Sequence, residues 1–221
     1  MDPSFWKQSW REGKIGFHQG RPNPLLAAHH QLLGVARRVL VPLAGKAFDV
    51  AYLASLGHRV VAIELVEDAV RAFFDEQGLV PEISRRGDFV RYAAGPGLEG
   101  GDPEIVFFAG DFFATTKDLV GPVNALYDRA ALVALPPALR DRYVPHVLGL
   151  LSADATALIV SLEYDEAQRA PPPHSVPEAE VHRHFDGRRV TLLADGDGLE
   201  ERHRQAGVTW MREKLWTFAP N

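Results

Sequence analysis

The sequence predicts an open, doubly wound α/β domain with a mostly parallel sheet and helices on both faces. Short apolar runs alternate with segments of helical period, the runs are rich in Val, Ile, Leu and Phe, and glycine or proline marks the joins. Seven strands are expected, at residues 39–43, 59–64, 104–108, 123–127, 156–163, 190–193 and 208–218. Helices fit between them at residues 48–56, 67–77, 137–151 and 178–185, with Gly78 placed to close the second. Sheets of this kind bind ligands outside the carboxyl ends of their strands, near the point where strand order reverses. The residues that follow each strand are therefore the ones to inspect.

Composition narrows the function classes. A chain of 221 residues with 46% hydrophobic and 24% charged residues suits one globular domain, residues 1–221, and excludes a disordered or fibrous role. The apolar runs at residues 38–43 and 156–162 are far short of the roughly 20 residues that span a bilayer. The start, Met1-Asp2-Pro3-Ser4-Phe5-Trp6, lacks the basic and apolar regions of a secretory signal, so a cytoplasmic protein is expected, without a membrane partner. With no cysteine there is neither a disulfide nor a thiolate site, and a net charge of -5 gives no general attraction to nucleic acid. A small-molecule substrate and a monomer are the expectations. The Gly/Pro-rich stretches 95–103 and 170–177 read as surface loops rather than linkers.

The first strand leads into Pro42-Leu43-Ala44-Gly45-Lys46-Ala47-Phe48-Asp49, which is neither the three-glycine dinucleotide fingerprint nor a phosphate P-loop. The second ends at Glu64, about where an acidic residue hydrogen-bonds ribose in nucleotide-binding α/β folds. Gly110-Asp111-Phe112-Phe113 follows the third, where a carboxylate and an aromatic ring could meet an adenine, and Asp128-Arg129 closes the fourth. Asp49, Glu64, Asp111 and Asp128 would share one rim, which repels a pyrophosphate and suits a cationic ligand with a ribose. S-adenosylmethionine is such a ligand; on these residues alone another nucleotide, or a purely structural role as helix caps, stays open. The histidine pairs His29-His30 and His182, His184 show no recognisable zinc spacing, so no metal is expected.

The chain also resembles the thiopurine S-methyltransferase family, of the bacterial type. The resemblance rests on Trp6-x-x-x-Trp10-x-x-Gly13-x-x-Gly16-Phe17-His18, Pro42-Leu43-Ala44-Gly45-Lys46, Gly57-His58-x-Val60-Val61-Ala62-Ile63-Glu64, and Gly110-Asp111-Phe112-Phe113. It continues with Tyr127-Asp128-Arg129-Ala130-Ala131-Leu132-Val133-Ala134-Leu135-Pro136, Pro172-Pro173-His174-Ser175-Val176-Pro177 and Glu200-Glu201-Arg202-His203. It implies a class I methyltransferase-like fold, with residues 1–30 forming an N-terminal lid over S-adenosylmethionine. Trp6, Trp10 and Phe17 would be the lid aromatics, Leu43 and Gly45 the floor, Glu64 the ribose ligand, Asp111 and Phe112 the adenine contacts. Arg129 would sit beside both cofactor and acceptor, and Arg202 beside the acceptor.

The implied reaction is methyl transfer to the sulfur of aromatic or heterocyclic thiols such as thiopurines, leaving S-adenosylhomocysteine. No catalytic base and no metal are assigned. Resemblance to metalloid-resistance relatives implies selenium or tellurium species as alternative acceptors, and a non-catalytic binding module is the rival of another class. Each assignment has a plainer counterpart: Trp6 and Trp10 at i, i+4 would also pack a helix face, Arg129 would also pair with Asp128 or Glu163, and Arg202 would also be a solvated charge. The chain departs from the family pattern at Ala44, where many members have cysteine, and at Tyr52, where they have tryptophan. It departs again at Pro171 in place of glycine and His174 in place of phenylalanine.

Overall fold

A computed structural model describes residues 3–15, 18–95 and 104–219. In chain order the elements are α1 (Pro3–Arg11), α2 (Pro24–His29), β1 (Arg38–Val41), α3 (Phe48–Ser55), β2 (Arg59–Glu64), α4 (Glu67–Glu76), β3 (Glu82–Arg86), β4 (Phe89–Ala94) and β5 (Ile105–Ala109). They continue with α5 (Lys117–Val120), β6 (Val123–Asp128), α6 (Ala131–Ala134), α7 (Pro137–Leu150), β7 (Leu151–Tyr164), α8 (Glu178–His184), β8 (Arg189–Asp197), α9 (Glu201–Gln205) and β9 (Met211–Ala219). All nine strands form one sheet in the order β3-β4-β5-β2-β1-β6-β7-β9-β8.

The five central strands run parallel, with Val39 opposite Val60 and Ala125, Val61 opposite Val106, and Leu126 opposite Ala157. Their sequences are apolar almost without interruption because both faces are covered, as in parallel sheets generally. Leu40, Val61, Ile63, Phe108 and Leu126 pack on one face against α6 and α7, while Val39, Val60, Ala62 and Phe107 pack on the other against α2, α3 and α4. Strand order reverses at β1, which lies between β2 and β6, so a crevice is expected above its carboxyl end. Among the described residues no helix is long and apolar enough to cross a membrane.

The expected seven strands become nine. The two additions are β3 and β4, an antiparallel hairpin extending the β5 edge, with Arg86 opposite Phe89 and the turn at Gly87-Asp88. β3 is polar and largely exposed, with Ile83 its one large apolar residue, so it carries no apolar run to announce it. Gly87 takes φ +58°, a left-handed conformation suited to a two-residue hairpin turn. At the opposite edge β8 runs to Asp197, past the expected residue 193, because β9 pairs with its polar end after a bulge between Leu192 and Ala194. Gly78 lies one residue beyond the end of α4 at φ +64°, as its sequence position implied. Of the expected loop at 95–103, residues 96–103 lie outside the described residues.

Candidate active site

The turn after β1 is held in place from β2. Leu43 and Gly45 both take positive φ, +50° and +56°, the first an uncommon cost for a side chain with a Cβ. Ala44 N–H donates to Ile63 O (2.9 Å), and Gly45 N–H donates to the Glu64 carboxylate (2.7 Å). The other Glu64 oxygen accepts from Val66 N–H (2.8 Å). Burial raises the Glu64 pKa, and the amides of Val66, Gly45 and Leu65 pull against that rise. The carboxylate is 7% exposed, so its remaining lone pairs face a small opening above the glycine turn. This donor set fits a ribose: two adjacent hydroxyls can supply hydrogen bonds that a buried carboxylate needs.

The expected rim of four carboxylates divides. Asp49 and Asp128 are fully engaged inside the protein. Asp49 accepts from Asn23 N–H (2.6 Å) and from the Tyr127 hydroxyl (3.0 Å), and burial raises its pKa. Asp128 caps α6 through Ala131 N–H (3.1 Å) and Leu132 N–H (3.2 Å), and accepts from the Tyr143 hydroxyl (2.6 Å). Burial pushes it up to about 6. Glu64 and Asp111 remain at the rim.

Asp111 accepts from Phe113 N–H (3.0 Å) and so caps the short 3-10 turn Phe112–Ala114. The Phe112 ring is 4% exposed and packs against Tyr143 and His146, with centroids 5.3 and 5.2 Å away. That ring is committed to the core, which leaves Asp111 as the exposed side chain of the pair. Gly110 needs to be glycine for packing, since a Cβ there would lie 2.4 Å from Phe89 Cδ1.

On the N-terminal side, Trp6 and Trp10 are half-buried on α1, with Trp6 edge-on to Phe5 at 5.2 Å. Gly13 closes the helix at φ +65°, its N–H donating to Trp10 O (3.2 Å). Phe17 lies outside the described residues. His18 then comes within 3.9 Å of Glu76, which also pairs with Lys46 of the glycine turn. Its pKa is lowered by burial, then by the charge of Lys46, and the charge of Arg129 acts in the same direction.

Arg129 follows β6 and is half-buried. Its charge pulls Asp49 and Glu213 down, so its field reaches both the α3 start and β9. The plainer partners suggested by sequence are occupied in other bonds: Glu163 binds Lys214 Nζ (2.7 Å), and Asp128 binds as described. Arg202 on α9 pairs with Glu200 (2.8 Å) and is half-exposed. Together with Glu200 and residues His18 to Arg21 it lines a cleft of about 490 Å³. The structure therefore brings Arg202 to the lid segment, across some 180 residues of chain.

Sequence reasoning missed Asn23, Gln19, Arg169 and Glu213. Asn23 had a visible signal, because Asn followed by Pro marks a helix start; its side chain accepts from Leu25 N–H (2.9 Å) and Leu26 N–H (3.3 Å).

Fold and rim together define the class: this is a class I methyltransferase fold. It is similar to Burkholderia thailandensis 1,6-didemethyltoxoflavin-N1-methyltransferase, solved with S-adenosylhomocysteine, at TM-score 0.66 and 18% identity over 99% of this chain and 87% of that one. It is also similar to magnesium protoporphyrin IX methyltransferase from Synechocystis, solved with S-adenosylmethionine, at TM-score 0.62 and 12% identity over 100% and 98% of the two chains. The thiopurine S-methyltransferase family model matches residues 1–220. Thiopurine S-methyltransferase of Pseudomonas fluorescens (strain Pf0-1) is 43% identical over 98% of each chain, and that of Pseudomonas syringae pv. tomato is 41% identical over 99% and 98%. The chain belongs to the thiopurine S-methyltransferase family, and it is an S-adenosylmethionine-dependent methyltransferase.

Proposed function

We propose that this enzyme methylates the sulfur of small aromatic or heterocyclic thiols, and that thiopurines are among its acceptors. The observation that carries the reading is the placement of a buried ribose-type carboxylate, Glu64 on the Gly45 amide, on the same edge of the sheet as a cleft between the lid segment and Arg202. When bound, S-adenosylmethionine supplies a methyl group on a positively charged sulfur, open to in-line attack by a soft nucleophile.

The protein's own contribution is to bind, orient and dry the site. Glu64 takes the ribose, Leu43 and Gly45 shape the floor, Asp111 and the backbone at Phe112 receive the adenine, and Trp6, Trp10 and Phe17 cover the top. Arg129 and Arg202 favour the ionised thiol, because a nearby guanidinium stabilises a thiolate over a thiol. Holding sulfur and methyl carbon in line supplies much of the acceleration for such a displacement, so no obligatory protein base is assigned. The lid excludes water, which would otherwise solvate the thiolate and weaken its attack.

The test is a transfer assay with methyl-labelled S-adenosylmethionine and 6-mercaptopurine. Label in the thioether, dependent on both partners, is the expected result. Well-folded protein that binds the cofactor yet labels neither 6-mercaptopurine nor thiophenol would overturn the reading.

A further inference from the structure

Among the described residues, the buried side-chain atoms left without a hydrogen-bond partner are Gln19 Oε1, Asn23 Nδ2, Arg169 Nη1 and both ring nitrogens of His174. Native proteins leave few such atoms, and each calls for a partner. They are not scattered. Gln19 lines the cleft shared with Arg202, Asn23 donates to Asp49 at the start of α3, and Arg169 and His174 belong to the loop that leaves the carboxyl end of β7. All lie on the edge of the sheet where the methyl-transfer site is placed.

Arg169 is the one cation in this set, and no carboxylate lies within ion-pair distance of it among the described residues. Its setting is fixed from several sides. Gln168 next to it accepts from Thr209 N–H (2.8 Å) and from the Thr209 hydroxyl (3.1 Å). The Tyr164 hydroxyl, which feels the Arg169 charge, donates to Pro173 O (2.5 Å) and ties down the proline stretch. Arg140 adds bonds to Ser175 O (3.3 Å) beyond it. The charge of Arg169 also reaches His203 on α9, the neighbour of Arg202. Glu166, the nearest acid in the loop, is taken by Ser175 N–H (2.6 Å), and Glu200 is taken by Arg202. A guanidinium held this firmly, with one donor buried and unsatisfied, is complementary to a planar anion that accepts two parallel N–H bonds.

We infer that Arg169 is a specificity-determining residue that reads a carboxylate on the methyl acceptor, so that acidic aromatic thiols are preferred over neutral ones. The inference rests on the proposed thiol methylation for its chemistry and adds the charge of the acceptor. Gln19 and His174 supply further polar contacts to the same molecule from the lid side and the proline loop.

The test compares the 2-, 3- and 4-mercaptobenzoates with thiophenol in wild type, Arg169→Met and Arg169→Lys. For the isomer best used by wild type, the ratio of its kcat/KM to that of thiophenol should fall tenfold or more in Arg169→Met. Arg169→Lys should give an intermediate ratio, since it keeps the charge and loses the fork. A ratio unchanged within twofold in a folded Arg169→Met overturns the inference. A second readout needs no turnover: salicylate, titrated calorimetrically into the S-adenosylhomocysteine complex, should bind wild type at least tenfold more tightly than Arg169→Met. Equal binding to the two, or none to wild type, also overturns it. Failure to methylate any thiol would sink the function reading while leaving the salicylate comparison to decide on Arg169.

Discussion

The Glu64 carboxylate accepts the Gly45 amide at 2.7 Å, joining the end of β2 to the turn after β1 across 19 residues of chain. One side chain therefore does two things: it fixes a backbone with two successive positive-φ positions nearby, and it offers its free lone pairs at the crevice. Glu64→Gln keeps the size and one carbonyl acceptor while removing the negative charge that two ribose hydroxyls would bind. S-adenosylmethionine affinity should drop at least tenfold, about 1.4 kcal/mol, with the thermal midpoint changed far less. Calorimetric titration reads the affinity directly; equal affinity in the variant would remove Glu64 from the cofactor site.

Asp128 titrates in the opposite sense to an ordinary surface acid. Its folded pKa is raised to about 6 by burial from a usual value of 3.8, so the fold favours its protonated form. The stability it contributes is fully present below about pH 3.8 and is lost as pH rises through about 6. A shift of that size corresponds to something on the order of 3 kcal/mol. Asp128→Asn should abolish this component, so the stability of wild type minus that of the variant, from urea unfolding, should decline between pH 4 and pH 7. A difference that is flat with pH would show that Asp128 stays ionised throughout.

Arg129 acts on several groups at once, and its removal should be visible in two independent ways. Its charge helps hold the His18 pKa down, so Arg129→Ala should raise the His18 titration midpoint seen by NMR. In cofactor-saturated protein the same variant should transfer methyl at least tenfold more slowly, because a thiolate loses its stabilising cation. A raised His18 midpoint with an unchanged saturated rate would confine Arg129 to cofactor binding or structure.

The parallel core was legible because strands buried on both faces leave uninterrupted apolar runs: β2 was placed at residues 59–64, the bounds it has in the structure. β3 was not, since an edge strand reading Glu-Ile-Ser-Arg-Arg takes its conformation from pairing with β4 rather than from its own composition. In the site, strand-end position marked Glu64 well, yet it could not separate a ligand carboxylate from a cap. Asp128 and Asp49 sit at the same kind of position and are spent on α6, Tyr143, Asn23 and Tyr127. Arg169 and Gln19 carry no local signal at all. Each stands in a polar stretch, and what distinguishes them, a buried atom without a partner, exists only once distant segments have packed.

His174 occupies the proline loop with its backbone N–H on Val133 O (2.5 Å) and its side chain 7% exposed. Both ring nitrogens lack a hydrogen-bond partner, although Glu166 Oε1 stands 3.4 Å from Nδ1. Leaving buried polar atoms unsatisfied costs roughly 1 to 3 kcal/mol, and a phenyl ring fills similar space without that cost. His174→Phe should therefore stabilise the protein by about 1 kcal/mol at pH 7.5, a rise in Tm of roughly 2 to 4 °C for a domain of this size. Burial lowers the His174 pKa, so the unfolded chain protonates first as pH falls below about 6.5, and wild type loses stability there. The variant has no such group, so its advantage should widen between pH 7.5 and pH 5.5. The same exchange should shift acceptor preference towards bulky apolar thiols, because a flat apolar ring stacks better on an aromatic acceptor than imidazole does. Calorimetric unfolding at the two pH values, with kcat/KM for 2-naphthalenethiol against thiophenol, checks both parts. A variant less stable than wild type would mean the imidazole is satisfied by a partner it does not show here, and an unchanged thiol preference would place the ring away from the acceptor.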